Sequence, residues 1–289
     1  MKIKILIPVY NDWQSVTKLI SVINDLAKNI NHEISIIVVN DASTHDRDSN
    51  NNELNNLNSV KILNMKTNQG HARCIATGLK YIYKREDFDY VIPMDGDGED
   101  RPEEINEFIN KINNQDPRPI IGERVKRSEN SLFKTCYQIH KLITLVFTGQ
   151  SIKFGNFTCL PKITVEKMVN EKATWNSFSG SLRKLEKDLI SIPSIRGTRY
   201  FGPSKMNFSR LVKHSLSIIS VFRKAVLIRS ALFIIIYILL IKNHASIITL
   251  IPFLFLLYLV YSVSSLALRE NMDEFDKSLS NIKNIDTIK

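Results

Sequence analysis

The stretch YVIPMDGDGEDRPEEI, residues 90–105, joins a short apolar run to a dense acidic turn and then to residues that favour a helix. The apolar run has the length and composition of a buried strand, and a proline suits the first turn of a helix, where its missing amide is not needed. A strand that ends in carboxylates is typical of parallel α/β sheets, in which ligands bind at the carboxyl ends of the strands. The stretch therefore predicts this fold class and locates a candidate site at its acidic turn.

The sequence on both sides of this stretch alternates in the same way between strand and helix. Four further apolar runs are typical of strands: IKILIPV, EISIIVVN, SVKILNM and RPIIGER. Apolar residues at helical spacing lie between the runs, at residues 13–28, 70–84 and 102–113. Continuous apolar strands between helices predict a mostly parallel, Rossmann-like sheet that helices cover on both faces. The polar residues that follow each strand should then meet in one cleft.

The length and the charge of the chain narrow its class. Its 289 residues exceed the roughly 250 at which a single hydrophobic core stops growing, which predicts one main domain with an appended region. The formal net charge of +10 indicates anionic partners such as phosphates or an acidic membrane face, although a compositional bias toward lysine would give the same value. We expect no nucleic-acid partner, and the sequence leaves open whether the chain forms a homo-oligomer.

Cysteine usage and the first residues of the chain bear on its compartment. Cys74, Cys136 and Cys159 lie far apart and lack the spacing of zinc ligands or of a disulfide framework. A reducing compartment is the simpler interpretation. The segment MKIKILIPVYND has neither the long apolar run nor the small-residue cleavage site of a signal peptide, so we expect it to be the first strand of a domain in the cytoplasm.

The last third of the chain contains two apolar segments, residues 225–241 and 245–268, which only the tripeptide KNH separates. At about 1.5 Å per residue they measure roughly 25 Å and 36 Å as helices, enough for two tilted membrane spans. Residues 206–224 combine helical apolar spacing with basic residues, which predicts an amphipathic helix at the membrane surface. A buried helical pair in a soluble domain is the alternative to this membrane hairpin.

Basic residues flank both ends of the hairpin, whereas its short turn holds a single lysine, so both ends are expected on the cytoplasmic side. The sequence therefore divides into four predicted regions: an α/β domain at 1–205, an amphipathic juxtamembrane helix at 206–224, a transmembrane hairpin at 225–268 and a cytoplasmic tail at 269–289.

Four blocks follow one another in a fixed order: ILIPVYND, IIVVNDAS, NQGHARCIATGLKY and YVIPMDGDGEDRPEEI. Together they resemble the GT-A domain of glycosyltransferase family 2, and within it the polyprenyl-phosphate branch that contains dolichyl-phosphate mannosyltransferases and bactoprenol glucosyltransferases. The resemblance covers residues 2–124 well and continues more thinly through FGNFTCLPK and RYFGPSKM into the apolar hairpin.

This resemblance implies a membrane-anchored, inverting enzyme that moves a sugar from a nucleotide-diphosphate sugar to a polyprenyl phosphate. It implies a multi-pass protein of the cytoplasmic membrane whose catalytic domain faces the cytoplasm. Two alternatives stay open at this point. One is transfer to a hydroxyl of a growing cell-surface glycan or glycolipid, and the other is a non-catalytic sugar-nucleotide sensor or membrane scaffold.

The resemblance also implies a divalent cation, Mg²⁺ or Mn²⁺, at Asp95 and Asp97. Hard oxygen ligands suit such an ion, which would hold the diphosphate of the donor and stabilise it as it leaves. Asp97 is the expected direct ligand and Gly96 gives the turn its conformational freedom. Glu99 and Asp100 are grouped with Asp97 as candidate catalytic residues, with helix capping as the alternative for both.

The residues that the resemblance assigns to donor binding are Pro8, Tyr10, Asn11, Asp12, Asp41, Asn68, Gly70, Arg73, Asp95 and Gly96. Asp41 is expected to accept a hydrogen bond from the nucleobase, and Gly70 to open a helix whose free amides face phosphate or ribose. Ordinary turn and cap chemistry is the alternative for these positions. His71, taken alone, is more often structural than catalytic.

The residues assigned to the acceptor or to phosphate are Asn156, Lys162, Arg199, Ser204 and Lys205. Asn156 stands where relatives of the bactoprenol type carry an acidic residue that is the proposed catalytic base, and Asn cannot take a proton at neutral pH. A phosphate acceptor is already anionic and needs no base, whereas a hydroxyl acceptor needs one. Asn156 therefore favours a lipid phosphate as the acceptor.

Overall fold

The computed structural model describes residues 1–47, 53–126, 131–203, 208–244 and 246–289, and these ranges form one eight-stranded sheet with helices on both faces. The strands are β1 (Lys2–Val9), β2 (Glu33–Asn40), β3 (Ser59–Met65), β4 (Tyr90–Pro93), β5 (Ile120–Lys126), β6 (Thr158–Pro161), β7 (Ile190–Ile195) and β8 (Ile282–Thr287). The helices are α1 (Trp13–Ala27), α2 (His71–Arg85), α3 (Glu104–Lys111), α4 (Ser131–Thr148), α5 (Lys162–Val169), α6 (Phe178–Leu185), α7 (Phe208–Ser220), α8 (Arg223–Ile241), α9 (Ile247–Ala267) and α10 (Met272–Asp276). Short 3₁₀ helices lie at Lys172–Trp175 and Ser278–Asn281.

The strand order is β7-β5-β6-β4-β1-β2-β3-β8. The central strands run parallel, β1 pairing with β2 and β4, and β2 with β3. The strand β6 is antiparallel to both β4 and β5, and β8 is antiparallel to β3. The predicted mostly parallel α/β sheet is confirmed, and it differs from a purely parallel sheet through the inserted strand β6 and the edge strand β8.

Two hydrophobic cores cover the two faces of the sheet because successive side chains of a strand point to opposite sides. Leu6 of β1 packs in one core with α2, α5 and α6. Its neighbours Ile5 and Ile7 pack in the other core with α1 and α3. Ile3 to Val9 is buried throughout, which explains why this strand reads as a continuous apolar run.

The parallel register brings the ends of three strands to one edge of the sheet. Val9 pairs with Asn40 and Leu6 with Pro93, so β1, β2 and β4 all leave the sheet on the same side. The residues that follow them, including Asp12, Asp41 and Asp95, therefore lie at this carboxyl edge, as the sequence predicts.

The helices α8 and α9 are long and apolar enough to cross a membrane, with mean hydropathies of 2.3 and 2.2. Only 11% of each apolar window is buried within the protein, unlike the core helices of a soluble domain. The two helices pack on each other and on α7 around a small core that includes Ile219, Val226 and Leu259. This agrees with the predicted apolar hairpin and leaves a large apolar surface outside the domain.

The residues after α9 return to the α/β domain, although the sequence indicated only a tail there. The strand β8 pairs along β3 and forms an edge of the sheet. Phe275 of α10 is fully buried, and its ring stacks on Trp175 with a centroid separation of 5.4 Å. The ammonium of Lys80 lies 4.4 Å from the centre of the same ring. Both ends of the α8–α9 pair are thus attached to one domain, since Ile218 of α7 belongs to the core that contains Phe275.

Replacing Phe275 with alanine should destabilise the domain, because the substitution removes a fully buried ring and leaves a cavity against Trp175. The expected loss of unfolding free energy is about 3–5 kcal/mol. Denaturant unfolding of the purified protein in detergent measures it. Ile285→Ala, on the exposed part of β8, is the control and should change stability far less. Equal stability of Phe275→Ala and the wild type would contradict the docking of this segment.

Candidate functional site

The acidic turn, Asp95–Asp100, follows β4 at the carboxyl edge of the sheet, and its own carboxylates hold its shape. The backbone amide of Asp95 donates to Oδ2 of Asp100 at 2.9 Å. The amide of Glu99 donates to Oδ1 of Asp97 at 3.0 Å. Two of the four carboxylates therefore accept from the backbone of the turn itself, which gives the turn a defined conformation.

A second segment, residues 195–201, crosses the acidic turn and is called the strap below. The amide of Tyr200 donates to the carbonyl of Asp97 at 2.9 Å, and the tyrosine ring covers Gly98. A Cβ atom at Gly98 would lie 2.7 Å from that ring, and the residue has a φ of +87°, so this position requires glycine. The strap closes one side of the turn.

Two arginines of the strap pair with carboxylates beneath it. Arg196 forms an ion pair with Glu99. Arg199 donates to Oδ2 of Asp97 at 2.7 Å and also pairs with Asp12, which follows β1. The Arg199 side chain is only 13% exposed. The structure thus brings Arg199, Asp12 and Asp97 together from three distant parts of the sequence.

On the other side of the turn, Asp95 contacts two side chains from separate elements. Nε2 of His71, the first residue of α2, lies 3.2 Å from Oδ1 of Asp95. Nδ2 of Asn156 lies 2.8 Å from the same imidazole nitrogen and 3.4 Å from the same carboxylate oxygen. Sequence analysis placed Asn156 near the acceptor but did not select His71. A single histidine in a sequence does not indicate which residues it contacts in the folded protein.

The electrostatics of the turn show crowded negative charge. Burial, together with the Asp95 carboxylate, raises the pKa of Asp97. The same two causes raise the pKa of Asp100 to about 7. Burial acts in the same direction on Asp95, but the adjacent His71 imidazole outweighs it and holds the pKa of Asp95 below its ordinary value. A cation at the turn would therefore relieve repulsion between carboxylates.

The donor set of the turn fits a hard divalent cation. Asp95 and Asp97 present carboxylate oxygens from one short turn at the edge of the cleft, and oxygen ligands are those that Mg²⁺ and Mn²⁺ prefer. In the described part of the chain, His, Cys, Asp and Glu form no group of three or more that would make a complete metal centre. The protein would thus supply part of the coordination, and oxygens of a bound ligand or water would complete it.

Asp41 has a structural role that the sequence did not indicate, since its carboxylate accepts hydrogen bonds from the backbone of a neighbouring loop. Oδ1 accepts the amide of Gln69 at 2.7 Å and Oδ2 accepts the amide of Gly70 at 2.9 Å. Asn68 donates its side-chain amide to the Asp41 carbonyl at 3.1 Å. The Asp41 residue is only 4% exposed. It fixes the loop that enters α2, and because each carboxylate oxygen keeps a second acceptor site, the hydrogen bond to a nucleobase stays a prediction.

The loop after β1 is tied to the loop after β2 through Asn11, which has a φ of +52°. Oδ1 of Asn11 accepts the amides of Thr44 and His45 at 2.8 and 3.2 Å. Pro8 is buried within β1, whereas the neighbouring Tyr10 is 45% exposed at the edge of the cleft. Of the residues predicted to form the wall for the donor base, Tyr10 is thus the most exposed.

Two more predicted residues lie elsewhere. Arg73 pairs with Glu274 at 2.9 Å and its guanidinium lies 4.8 Å from the centre of the Trp175 ring, so it holds the segment after α9. Lys162 donates its amide to the carbonyl of Asp89, which precedes β4. Because β6 runs antiparallel to β4, the residue after β6 lies at the opposite edge of the sheet from the acidic turn. Lys162 is therefore not a phosphate ligand at this site.

Glu99 and Asp100 were the candidates for a catalytic base. Asp100 is 6% exposed and accepts the Asp95 amide, and Glu99 is paired with Arg196. Neither caps α3, which begins at Glu104.

Ser204 and Lys205, which were predicted to bind the acceptor or phosphate, lie outside the described residues.

A group of basic side chains lies between the acidic turn and the helices that lead to the apolar pair. A Cβ atom at Gly155 would lie 3.2 Å from the Arg124 guanidinium, which places Arg124 beside Asn156. His214 of α7 lies within electrostatic range of Arg124, of His140 on α4 and of Asp95. This group is called the basic wall below. Its members come from β5, α4 and α7.

Comparison with known proteins agrees with this architecture. Residues 4–179 match the model of glycosyl transferase family 2. An undecaprenyl-phosphate 4-deoxy-4-formamido-L-arabinose transferase from Proteus mirabilis (strain HI4320) is 25% identical over 225 residues, which are 73% of this chain and 64% of that protein. The chain thus spans less than two thirds of the length of this relative.

Two solved structures share the fold at low sequence identity. Glucosyl-3-phosphoglycerate synthase from Mycobacterium tuberculosis, in complex with Mn²⁺, UDP and glucosyl-3-phosphoglycerate, has a TM-score of 0.51 and 12% identity, covering 78% of this chain and 79% of that one. A mannosyltransferase from Pyrobaculum calidifontis, in complex with GDP-mannose and Mn²⁺, has a TM-score of 0.50 and 11% identity, covering 92% and 73%.

The structural role of Asp41 can be tested with Asp41→Asn. The amide group of asparagine can satisfy only one of the two backbone amides, so one buried donor loses its partner. We expect a loss of about 1–3 kcal/mol in unfolding free energy, measured by denaturant titration, with no change in preference between UDP- and GDP-sugars. Full stability combined with altered nucleotide preference would instead support direct contact with the base.

Proposed function

The chain belongs to glycosyltransferase family 2, and we propose that it transfers a sugar from a nucleotide-diphosphate sugar to a polyprenyl phosphate at a membrane surface. One observation carries this proposal. Asp95 of the acidic turn lies within electrostatic range of Arg124 and His214 in the basic wall, and the wall is built partly from the helix α7 that precedes the apolar pair. A site for a cation and donor is thus adjacent to a site for an anion that approaches from the membrane side.

On the donor side, Asp95 and Asp97 would hold Mg²⁺ or Mn²⁺, which when bound neutralises the charge that develops on the leaving nucleoside diphosphate. The solved structures of the same fold that contain Mn²⁺ with UDP or GDP-mannose support this assignment. Arg199 donates to Asp97 and presents several N–H donors in a planar fork, a geometry that matches diphosphate oxygens. Its role in this proposal is to bind the diphosphate of the donor.

On the acceptor side, the basic wall of Arg124, His140 and His214 would bind the lipid phosphate. Burial lowers the pKa of His214 to about 4, so at neutral pH its imidazole would donate a hydrogen bond and Arg124 would supply the positive charge. A phosphate monoester is already anionic at neutral pH and can attack the anomeric carbon without a base. A hydroxyl acceptor would need a base, but Asp100 and Glu99 already have partners in the protein. Because both carboxylates already have partners, a phosphate acceptor is favoured over a hydroxyl acceptor. The relative that acts as an undecaprenyl-phosphate transferase supports the same choice.

The reaction in this proposal is a single displacement with inversion at the anomeric carbon. The acceptor oxygen attacks from the side of the basic wall while the diphosphate leaves toward Asp97 and Arg199. The strap excludes water from the donor side, since Tyr200 and Arg199 cover the turn. Positioning of two bound substrates and stabilisation of the leaving charge supply the rate enhancement.

Membrane anchoring by α8 and α9 completes the proposal. Both ends of this pair are attached to the α/β domain, through α7 on one side and through α10 and β8 on the other. If the pair crosses a membrane, both attachments must lie on the same side, because one folded domain contains them. The basic residues that flank the pair support the cytoplasm as that side.

The transfer reaction is tested with membranes that contain the protein, labelled UDP- and GDP-sugars and Mn²⁺, with or without undecaprenyl phosphate. Label should enter an acid-labile lipid only when the lipid phosphate is added. Asp97→Asn should reduce this incorporation at least about 100-fold, since one oxygen ligand and the charge of the turn are lost. Asp116→Asn, an exposed carboxylate paired with Arg118, is the matched control and should retain activity.

Three outcomes would count against this function. Incorporation that is unchanged in Asp97→Asn would overturn the cation site. Label that enters a glycan hydroxyl without lipid phosphate would favour the alternative acceptor. No transfer from any donor, with the protein folded, would favour a non-catalytic role.

The membrane arrangement is tested by cysteine labelling in a Cys136→Ser background, in which Cys74 and Cys159 remain buried. Asn243→Cys lies in the turn between α8 and α9, and Lys277→Cys follows α10. In intact bacterial cells, a membrane-impermeant maleimide should label Asn243→Cys but reach Lys277→Cys only after permeabilisation. Equal labelling of both variants in intact cells would contradict a hairpin that crosses the membrane twice.

A further inference from the structure

The position of His71 is fixed by the protein and does not depend on His71 itself. Gly70 precedes α2 with a φ of +89°, and its amide is held by Asp41 at the end of β2. The first residue of α2 is therefore directed across the carboxyl edge of the sheet. This places the imidazole 3.2 Å from Oδ1 of Asp95, which follows β4.

Asn156 reaches the same carboxylate from the opposite direction. It lies just before β6, and because β6 is antiparallel to β4 its first residues lie beside the end of β4. Its side-chain amide is 3.4 Å from Oδ1 of Asp95 and 2.8 Å from Nε2 of His71. An amide can donate to Asp95, whereas a second carboxylate at this position would repel it.

The contacts of His71 are better explained by the orientation of Asp95 than by stability. The His71 side chain is 48% exposed, so its burial contributes little to the core. The start of α2 is held independently by Asp41 and by the buried residues Cys74 and Ile75. Removing the imidazole should therefore leave the fold intact but free the Asp95 carboxylate to rotate.

We propose that His71 and Asn156 are positioning residues that together fix the Asp95 carboxylate for cation and donor binding. This inference rests on the proposed function, since it requires that Asp95 serve the cation. Side chains that hydrogen-bond to a metal-binding carboxylate orient it and increase its affinity for the metal. Their loss typically weakens metal binding about 10–100-fold. Asn156 acts in this way as a hydrogen-bond donor and not as a substitute for a catalytic base.

The test is Mn²⁺ binding, followed by the EPR signal of free Mn²⁺, without lipid acceptor. The probes are Mn²⁺ alone and Mn²⁺ with UDP or GDP, whichever nucleotide supports transfer. His71→Ala and Asn156→Ala should each weaken Mn²⁺–nucleotide binding about 10–100-fold. His71→Gln, which keeps a hydrogen-bond donor, should recover part of the loss. His32→Ala, at the opposite edge of the sheet, should bind as the wild type does.

Two further measurements separate positioning from other roles. The KM for the donor should rise in the single variants while the KM for the lipid acceptor stays within about twofold, because Asp95 serves the donor side. The double variant should weaken binding by less than the product of the two single effects, since both residues act on one carboxylate and on each other. Melting temperatures should stay within about 2 °C of the wild type.

The result that overturns the inference is unchanged Mn²⁺–nucleotide affinity in both single variants while Asp97→Asn abolishes binding, and the proposed function would then still stand. A fall in melting temperature that accounts for the loss of binding, with no recovery in His71→Gln, would also overturn it and assign the contacts to stability. If Asp97→Asn leaves Mn²⁺ binding intact, the cation site itself is wrong and the positioning role falls with it.

Discussion

The concentration of carboxylates at the end of β4 is the constraint on which the site depends. Four acidic side chains within six residues repel one another, and backbone amides, arginines and His71 stabilise them. Asp100 and Asp97 accept backbone amides of the turn, Glu99 and Asp97 receive arginines of the strap, and Asp95 is held by His71. The turn thus remains acidic enough for a cation but is fixed well enough to orient one.

The site also depends on the segment that follows the apolar helices, because that segment packs against α2. The segment after α9 docks through Phe275 on the Trp175 ring, and Arg73 of α2 pairs with Glu274 in that segment. Since α2 begins at His71, the helix that the C-terminal segment holds is the helix that contacts the acidic turn. The proposed membrane anchor and the candidate site are therefore parts of one packed unit, and not two modules joined by a flexible linker.

The sequence predicted the central architecture because its signals there are local. Apolar runs such as Ile3 to Val9 reveal buried parallel strands directly, and polar residues after those runs must lie at one edge. Asp95 and Asp97 lie at that edge as expected, and Asn156, which the family resemblance assigned, lies within 3.4 Å of Asp95. Arg199 was assigned to phosphate, and its contacts with Asp97 and Asp12 place it beside the turn. Arg73 matched a family pattern by position, yet its side chain pairs with Glu274, which no local pattern reveals.

By itself, then, the sequence determined the alternation of strands and helices, the acidic edge and the two apolar C-terminal segments. Each follows from residue type and spacing over a few positions. Only the tertiary structure decided the antiparallel insertion of β6, which carries Asn156 to Asp95 and Lys162 to the far edge, and the return of β8 to the sheet. It also decided that His71 contacts a residue 24 positions away. Such contacts depend on the direction and register of distant strands, which are set by packing of the whole sheet and not by any short segment.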